Sequence, residues 1–169
     1  MKIMLLDTSP ATLIADSAWR PDRRPYFVPE PADTPVKGEL RIALRIDRLG
    51  KNIAPQFAFR YVGAATIVAL FTGGNYTPYA DDSMIMGRWI SISDAGNAAI
   101  ECAATSTSTI LRLDHNEIAS RISDISTNTT FKTGDIIIMP EEIAKFDPNA
   151  IKSLSANLNG STILEFTIK

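Results

Sequence analysis

Residues 39–47 read Glu-Leu-Arg-Ile-Ala-Leu-Arg-Ile-Asp, and their alternation decides the fold class. Leu40, Ile42, Leu44 and Ile46 fall on one side of an extended chain, while Glu39, Arg41, Ala43, Arg45 and Asp47 fall on the other. A helix would spread the same residues around its axis and bury none of them cleanly. Downstream, Leu49-Gly50-Lys51-Asn52 reads as a turn, and Pro55 to Tyr61 as two helical turns. Ala64 to Thr72 is nearly all apolar between Gly63 and Gly73-Gly74, the pattern of a strand buried on both faces.

Further strands are expected at Trp89–Ser93, Ala98–Ala103 and Thr107–Leu113, with Asp94-Ala95-Gly96-Asn97 as a hairpin turn. Asp114 is placed to cap a helix, and Glu117 three residues later completes a capping-box pattern. Ile118, Ile122 and Ile125 would form its apolar face. Gly134-Asp135 precedes a strand at Ile136–Ile138, and Pro140-Glu141-Glu142 reads as a helix opening. Leu164, Phe166 and Ile168 alternate in a last strand. Strands dominate, so the expected class is mainly β or α+β.

Upstream, residues 21–35 hold Pro21, Pro25, Pro29, Pro31 and Pro35, which makes this stretch an extended loop. A length of 169 residues fits one domain, taken as 1–169, with a core that needs no disulfide or metal staple. The formal charge of -2 gives no whole-protein attraction to nucleic acid or an anionic membrane. Residues 1–60 nevertheless carry ten Lys/Arg against seven Asp/Glu, with Arg20, Arg23 and Arg24 close together. Those three read as a solvated face, or else as an anion-binding surface. The opening MKIMLLDTSP is too short in apolar residues for a secretory core or a membrane span, so the expected location is the cytoplasm.

Catalytic patterns are sparse. Cys102 and His115 are each the only residue of their type, which excludes an internal disulfide, a Cys-based zinc site and a multi-His metal site. His115 falls in the first turn of the capped helix, where an imidazole is usually a surface group. Cys102 lies in an expected strand and reads as a small buried hydrophobe, with Glu101 on the opposite, wet face. Glu39 and Arg41, at i and i+2 of one strand, stand side by side on one face.

Taken in order, several segments resemble the fumarylacetoacetate hydrolase family. Asp16-Ser17-Ala18 and Pro25-Tyr26-Phe27-Val28-Pro29 are similar to its PDSAL and PFFLPDF entry. Residues 39–46 resemble EVELVLRI, and Asp47 to Ile53 resemble NRLGKNI. Phe57 to Tyr61 is similar to FAHRY, and Phe71-Thr72 falls at DFTARD. Asp81 to Gly87 resembles FDGSAPIG, Ser106 to Ile110 resembles NTSxMI, Ile118 to Ser126 resembles LISYIS, and Gly134 to Ile137 resembles GDLIFTGTP. The collinear order spans nearly the whole chain and implies a mixed β-sandwich roll with few short helices.

The resemblance also implies a divalent cation, Mg²⁺ or Mn²⁺, held by an ExE pair and a later Asp. Here the first Glu is Glu39, the second position is Arg41, and the later one is Leu70. The family's Lys falls near Pro78, its catalytic His has no counterpart between Met1 and Asp16, and TGTP is replaced by Met139-Pro140-Glu141. Gly73-Gly74-Asn75 stands in place of its RDLQ-like loop. No metal or other cofactor is therefore expected, with Glu39 the only matched ligand and Arg41 pairing with it in the cation's place. The vestigial pocket would be lined by Glu39, Arg41, Asp81 and Ser83 and would take a small carboxylate ligand, unless Trp89, Tyr76, Tyr79 or the shortened loops fill it. The favoured reading is a non-catalytic binding or assembly subunit, as a homodimer or paired with a related subunit, with neither nucleic acid nor membrane as partner. The alternative is a metal-dependent hydrolase or decarboxylase of small oxo-acids using Mg²⁺ or Mn²⁺. It would require Glu39, Asp81 or Asp82, and Glu101 or Asp135 to converge. Asp135 after a glycine reads instead as a turn residue that satisfies backbone donors.

Overall fold

A computed structural model describes residues 1–7, 11–29, 34–73, 80–95, 98–102, 107–111, 114–158 and 160–169. In chain order the strands are β1 (Ile3–Leu5), β2 (Thr12–Ile14), β3 (Trp19–Pro21), β4 (Lys37–Ile46), β5 (Val62–Thr72) and β6 (Met84–Met86). They continue as β7 (Ile90–Ser91), β8 (Ala98–Cys102), β9 (Thr107–Leu111), β10 (Ile136–Phe146), β11 (Ser153–Leu158) and β12 (Ser161–Thr167). The helices are α1 (Pro55–Ala58), α2 (Ile92–Ala95) and α3 (His115–Asn128). The chain is thus α+β, with sheet predominating.

One sheet runs β2-β1-β10-β4-β5-β6-β3, with β7 also on β5, and the other runs β12-β11-β8-β9. The first is mixed: β1 is parallel to β10 and β3 to β6, while the other pairs are antiparallel. Its two edge strands, β2 and β3, are separated by only Ala15 and the 3₁₀ turn Asp16–Ala18. Ile14 and Trp19 can therefore lie at most about 18 Å apart, and the sheet must curl to bring them together. The residues on its concave face confirm the curl. Ile14, Ile3, Leu5, Ile136, Ile138, Ala43, Val68, Leu70, Met84 and Met86 form one buried cluster, closed by Ala18 and Trp19. Every strand from one edge to the other contributes to this interior.

The convex face carries Leu40, Ile42, Leu44 and Ile46 of β4 and Ile67, Ala69 and Phe71 of β5. They share a core with Leu154, Ala156, Leu158, Leu164 and Phe166 of the second sheet and with Ile118 and Ile122 of α3. Both faces of β5 are consequently covered, as its sequence indicates, while on β4 the polar side is also covered at Arg41 and Ala43, which its alternation does not announce. Gly87 marks the tightest approach between layers. Its N–H donates to the Ile67 carbonyl (3.0 Å), and a Cβ there would stand 2.6 Å from the Ile163 carbonyl.

The long strands, the turn at 49–52 and the helical turns at 55–61 follow the sequence reading. Asp114 caps α3 by accepting from the N–H groups of Asn116 (2.8 Å) and Glu117 (3.4 Å). Glu117 does not close the capping box; it turns to Arg121 one helical turn on.

Three expectations are overturned. The strand expected over Trp89–Ser93 is only Ile90–Ser91, because Ile92–Ala95 coils into α2 and buries Ala95 completely. The flanking strands are not hairpin partners, since β7 pairs with β5 in the first sheet and β8 with β9 and β11 in the second. Gly96 and Asn97 themselves lie outside the described residues. The helix expected at Pro140-Glu141-Glu142 is the middle of β10. Its pairing to β4 slips between Ile138 and Glu142, and that irregularity absorbs a proline that has no N–H to offer the ladder. The strands expected to reach Ala103 and Leu113 are seen to Cys102 and Leu111; Ala103 and residues 112–113 lie outside the described residues.

Asp135 anchors the amino-terminal strand. Gly134 holds φ +90°, which turns the chain so that the buried Asp135 carboxylate accepts from Lys2 N and Lys132 N (both 2.8 Å). Lys2 Nζ adds an ion pair at 3.3 Å. Asp135→Ala should strand two backbone donors, one at the start of β1 and one in the turn before β10, and cost on the order of 2–3 kcal/mol, read as a lower midpoint in urea unfolding, with Asp135→Asn recovering part of the loss.

Candidate functional site

Glu39 and Arg41 lie on the concave side of β4, near the end of the roll where β10 finishes. Arg41 stands opposite Val68 of β5, which in turn stands opposite Met86 of β6. Its guanidinium is therefore backed by apolar side chains, and only 7% of the side chain is exposed. Its charge is met by two carboxylates. Arg41 Nε lies 2.8 Å from Glu39 Oε1, and Nη1 donates to Asp7 Oδ1 at the end of β1. The Nε contact is an ion pair without hydrogen-bond alignment. Across β10, Glu142 is the register partner of Arg41 and Lys145 that of Glu39, and Lys145 Nζ pairs with Glu142 at 2.9 Å.

Burial raises the Glu39 carboxyl above its ordinary range; the Arg41 charge opposes this, while Glu142 and Asp7 add to it. Burial also works against the Arg41 charge, but the Asp7 hydrogen bond and the Glu39 carboxylate outweigh it, so the guanidinium stays protonated. Beside Glu39 opens a cleft of about 540 Å³, walled by Pro35–Glu39 leading into β4, by Thr72 at the end of β5, and by Lys145–Asp147 where β10 finishes. Phe146 forms its floor, with its ring so close to Gly38 that a Cβ there would fall 2.3 Å from it.

Of the four residues read as a pocket from sequence, the structure brings Glu39 and Arg41 together. Asp81 instead accepts from Ser17 Oγ (2.5 Å), in the turn that closes the roll. The Ser83 carbonyl accepts from Phe71 N, continuing the ladder one residue beyond Met84. Alternation then directs its buried hydroxyl towards the convex layer, where it has no hydrogen-bond partner. Among the described residues, the other carboxylates of the relocated metal site are engaged elsewhere. Asp82 pairs with Arg20 (3.0 Å), and Asp135 is consumed by backbone donors. Asp135 also precedes Ile136, the partner of Arg45, about six strand residues or roughly 20 Å from Glu39. The Glu101 and Cys102 side chains, and Tyr76 and Tyr79, lie outside what is described. Trp89 packs against the concave cluster under the Arg45 guanidinium (5.1 Å), not in the cleft beside Glu39. His115 is exposed and stacks on Phe59 at 4.0 Å.

Asp7 and Glu142 were not apparent from sequence. Asp7 is 34 residues from Arg41 and reaches it only because β1 docks on β10. Glu142 sits in the segment whose strand character proline concealed.

Leu70 is the register partner of Glu39, so the three positions that the resemblance assigns to a cation are neighbours: one carboxylate, one guanidinium and one isobutyl group. A hard divalent ion needs several oxygen ligands, and a fixed positive charge repels it. These residues do not fit such an ion.

No protein-family model and no curated protein sequence matches the chain. Solved structures do match over 99% of it. A 5-carboxymethyl-2-hydroxymuconate delta-isomerase from Mycobacterium smegmatis superposes with a TM-score of 0.77 at 16% identity, over 78% of its own length. A fumarylpyruvate hydrolase from Pseudomonas aeruginosa, in complex with Mn²⁺ and pyruvate, gives 0.73 at 12% over 89%. A Yersinia pestis protein described as of the fumarylacetoacetate hydrolase family gives 0.70 at 16% over 91%. The chain has the fumarylacetoacetate hydrolase fold. At these identities the likeness establishes the curled sheet and its topology, while the chemistry must be argued from the residues. Among the described residues, no helix of this version of the fold is long and apolar enough to cross a membrane.

Glu39, Glu141 and Asp22 all have carboxyls raised above their ordinary values, in each case chiefly by burial. A carboxyl raised on folding contributes stability that is complete below its unfolded pKa and is lost as pH rises through the folded one. The melting temperature should therefore climb as pH is lowered through the range just above ordinary carboxylate values, and Glu141→Gln should flatten that slope.

Proposed function

We propose that this chain is a non-catalytic member of the fold, serving as a binding or assembly subunit. The observation that carries the reading is the 2.8 Å ion pair between Arg41 and Glu39. It engages the one carboxylate that could begin a cation site and places a guanidinium beside it. Leu70 alongside offers no oxygen ligand. Asp81, Asp82 and Asp135, which could have supplied a relocated site, are each engaged elsewhere. The assembly is a homodimer or a pair with a related subunit. The cleft beside Glu39 is the candidate place for a small carboxylate ligand.

The competing reading is a metal-dependent hydrolase or decarboxylase of small oxo-acids. It draws on a structural neighbour, the fumarylpyruvate hydrolase in complex with Mn²⁺ and pyruvate. Calorimetric titration with Mg²⁺ and Mn²⁺, alongside melts with and without each ion, separates the two. The expected result is no heat and no melting shift at millimolar ion. A site filled at 100 times its dissociation constant would add about 2.7 kcal/mol of stability and be plain in the melt. Such a response would move the chain to the enzymatic reading. Sedimentation velocity on the same sample should show a dimer.

A further inference from the structure

We infer that the Arg41 guanidinium is the resident cation of this end of the roll, and that Asp7 and Glu39 form with it one interdependent charge set. The inference rests on the metal-free reading above and extends it to a residue outside the expected ligand pattern. Three features support it. The guanidinium is buried on the concave face opposite Val68, so water cannot take over its solvation. Its two carboxylates come from separate segments, Glu39 on β4 and Asp7 two residues beyond β1, and β10 lies between β1 and β4 in the sheet. Each carboxylate meets a different nitrogen of the same guanidinium, so both converge on one point.

Removing one member of a buried charge set leaves the others uncompensated, which is far costlier than never having buried them. Loss of the positive charge leaves the Asp7 and Glu39 carboxylates beside Glu142 of β10, whose own partner is Lys145, and opposite the apolar Val68. That arrangement attracts any cation able to enter. Arg41→Met removes the charge while roughly preserving the volume. Arg41→Glu also supplies a further carboxylate beside Asp7, Glu39 and Glu142, as oxygen-seeking divalent ions require.

The test compares thermal melts of the full chain and its variants with and without Mn²⁺. Arg41→Met and Arg41→Glu should both melt below the unsubstituted protein in chelator. Both should recover by about 5–10 °C once Mn²⁺ exceeds its dissociation constant 100-fold. If Arg41→Glu is unfolded in chelator, its refolding on Mn²⁺ addition, read by circular dichroism, supports the inference equally. Adding Asp7→Asn to Arg41→Met should abolish the recovery. The inference is overturned if Arg41→Met melts like the unsubstituted protein, if neither variant responds to Mn²⁺, or if recovery persists without Asp7. The unsubstituted chain's own response to Mn²⁺ reports separately on the metal-free reading, so the two failures are distinguishable.

Discussion

Burial of both faces of β4 is the constraint on which the rest of the structure depends. Its convex residues Leu40, Ile42, Leu44 and Ile46 need the second sheet and α3 to cover them. Its concave residues need a roll to close around them, and the short turn between β2 and β3 closes it. Lys37 and Arg45 near its ends stay exposed, but the middle of the strand has no wet side. A charged residue placed mid-strand must bring its counter-charges into the interior, and Arg41 does so from its own strand and from β1. Its length and planar fork allow one guanidinium to meet carboxylates on two strands, which a lysine ammonium would do less well.

The amino-terminal strand shows the same economy. β1 is only three residues long, yet Ile3, Met4 and Leu5 are almost completely buried. Such a strand has little intrinsic tendency to form, and its place in the sheet is set by side-chain contacts at either end. Asp135 gathers Lys2 at its start, and Arg41 gathers Asp7 just beyond its finish. Both contacts join residues more than thirty positions apart, and both combine charge with burial. The roll is thus tied shut by polar groups at points where its apolar interior could not by itself choose a register.

Likeness to solved hydrolases and isomerases over almost the full chain, at 12–16% identity, shows how far one curled sheet tolerates change in its residues. The fold asks for apolar alternation, small residues at close approaches such as Gly87, and a turn at Gly134-Asp135. None of these requirements touches the reacting groups. The scaffold therefore persists whether or not the mouth of the roll retains oxygen ligands.

By itself, the sequence determined β4, β5 and α3, because hydrophobic periodicity over nine or more residues leaves one conformation that buries every apolar side chain. It also determined the neighbourhood of Glu39 and Arg41, since i and i+2 share a strand face whatever the rest of the chain does. Tertiary structure decided what periodicity cannot carry. Strands of three residues, such as β1, β2 and β3, show no period to read. Pro140 lies within a strand because the slip in pairing around it needs no N–H. Ala95 forms a helical turn because the core has room for its methyl group. Asp7 meets Arg41, and Asp81 meets Ser17 instead of Glu39, because chain closure brings distant segments together, and no local pattern encodes that distance.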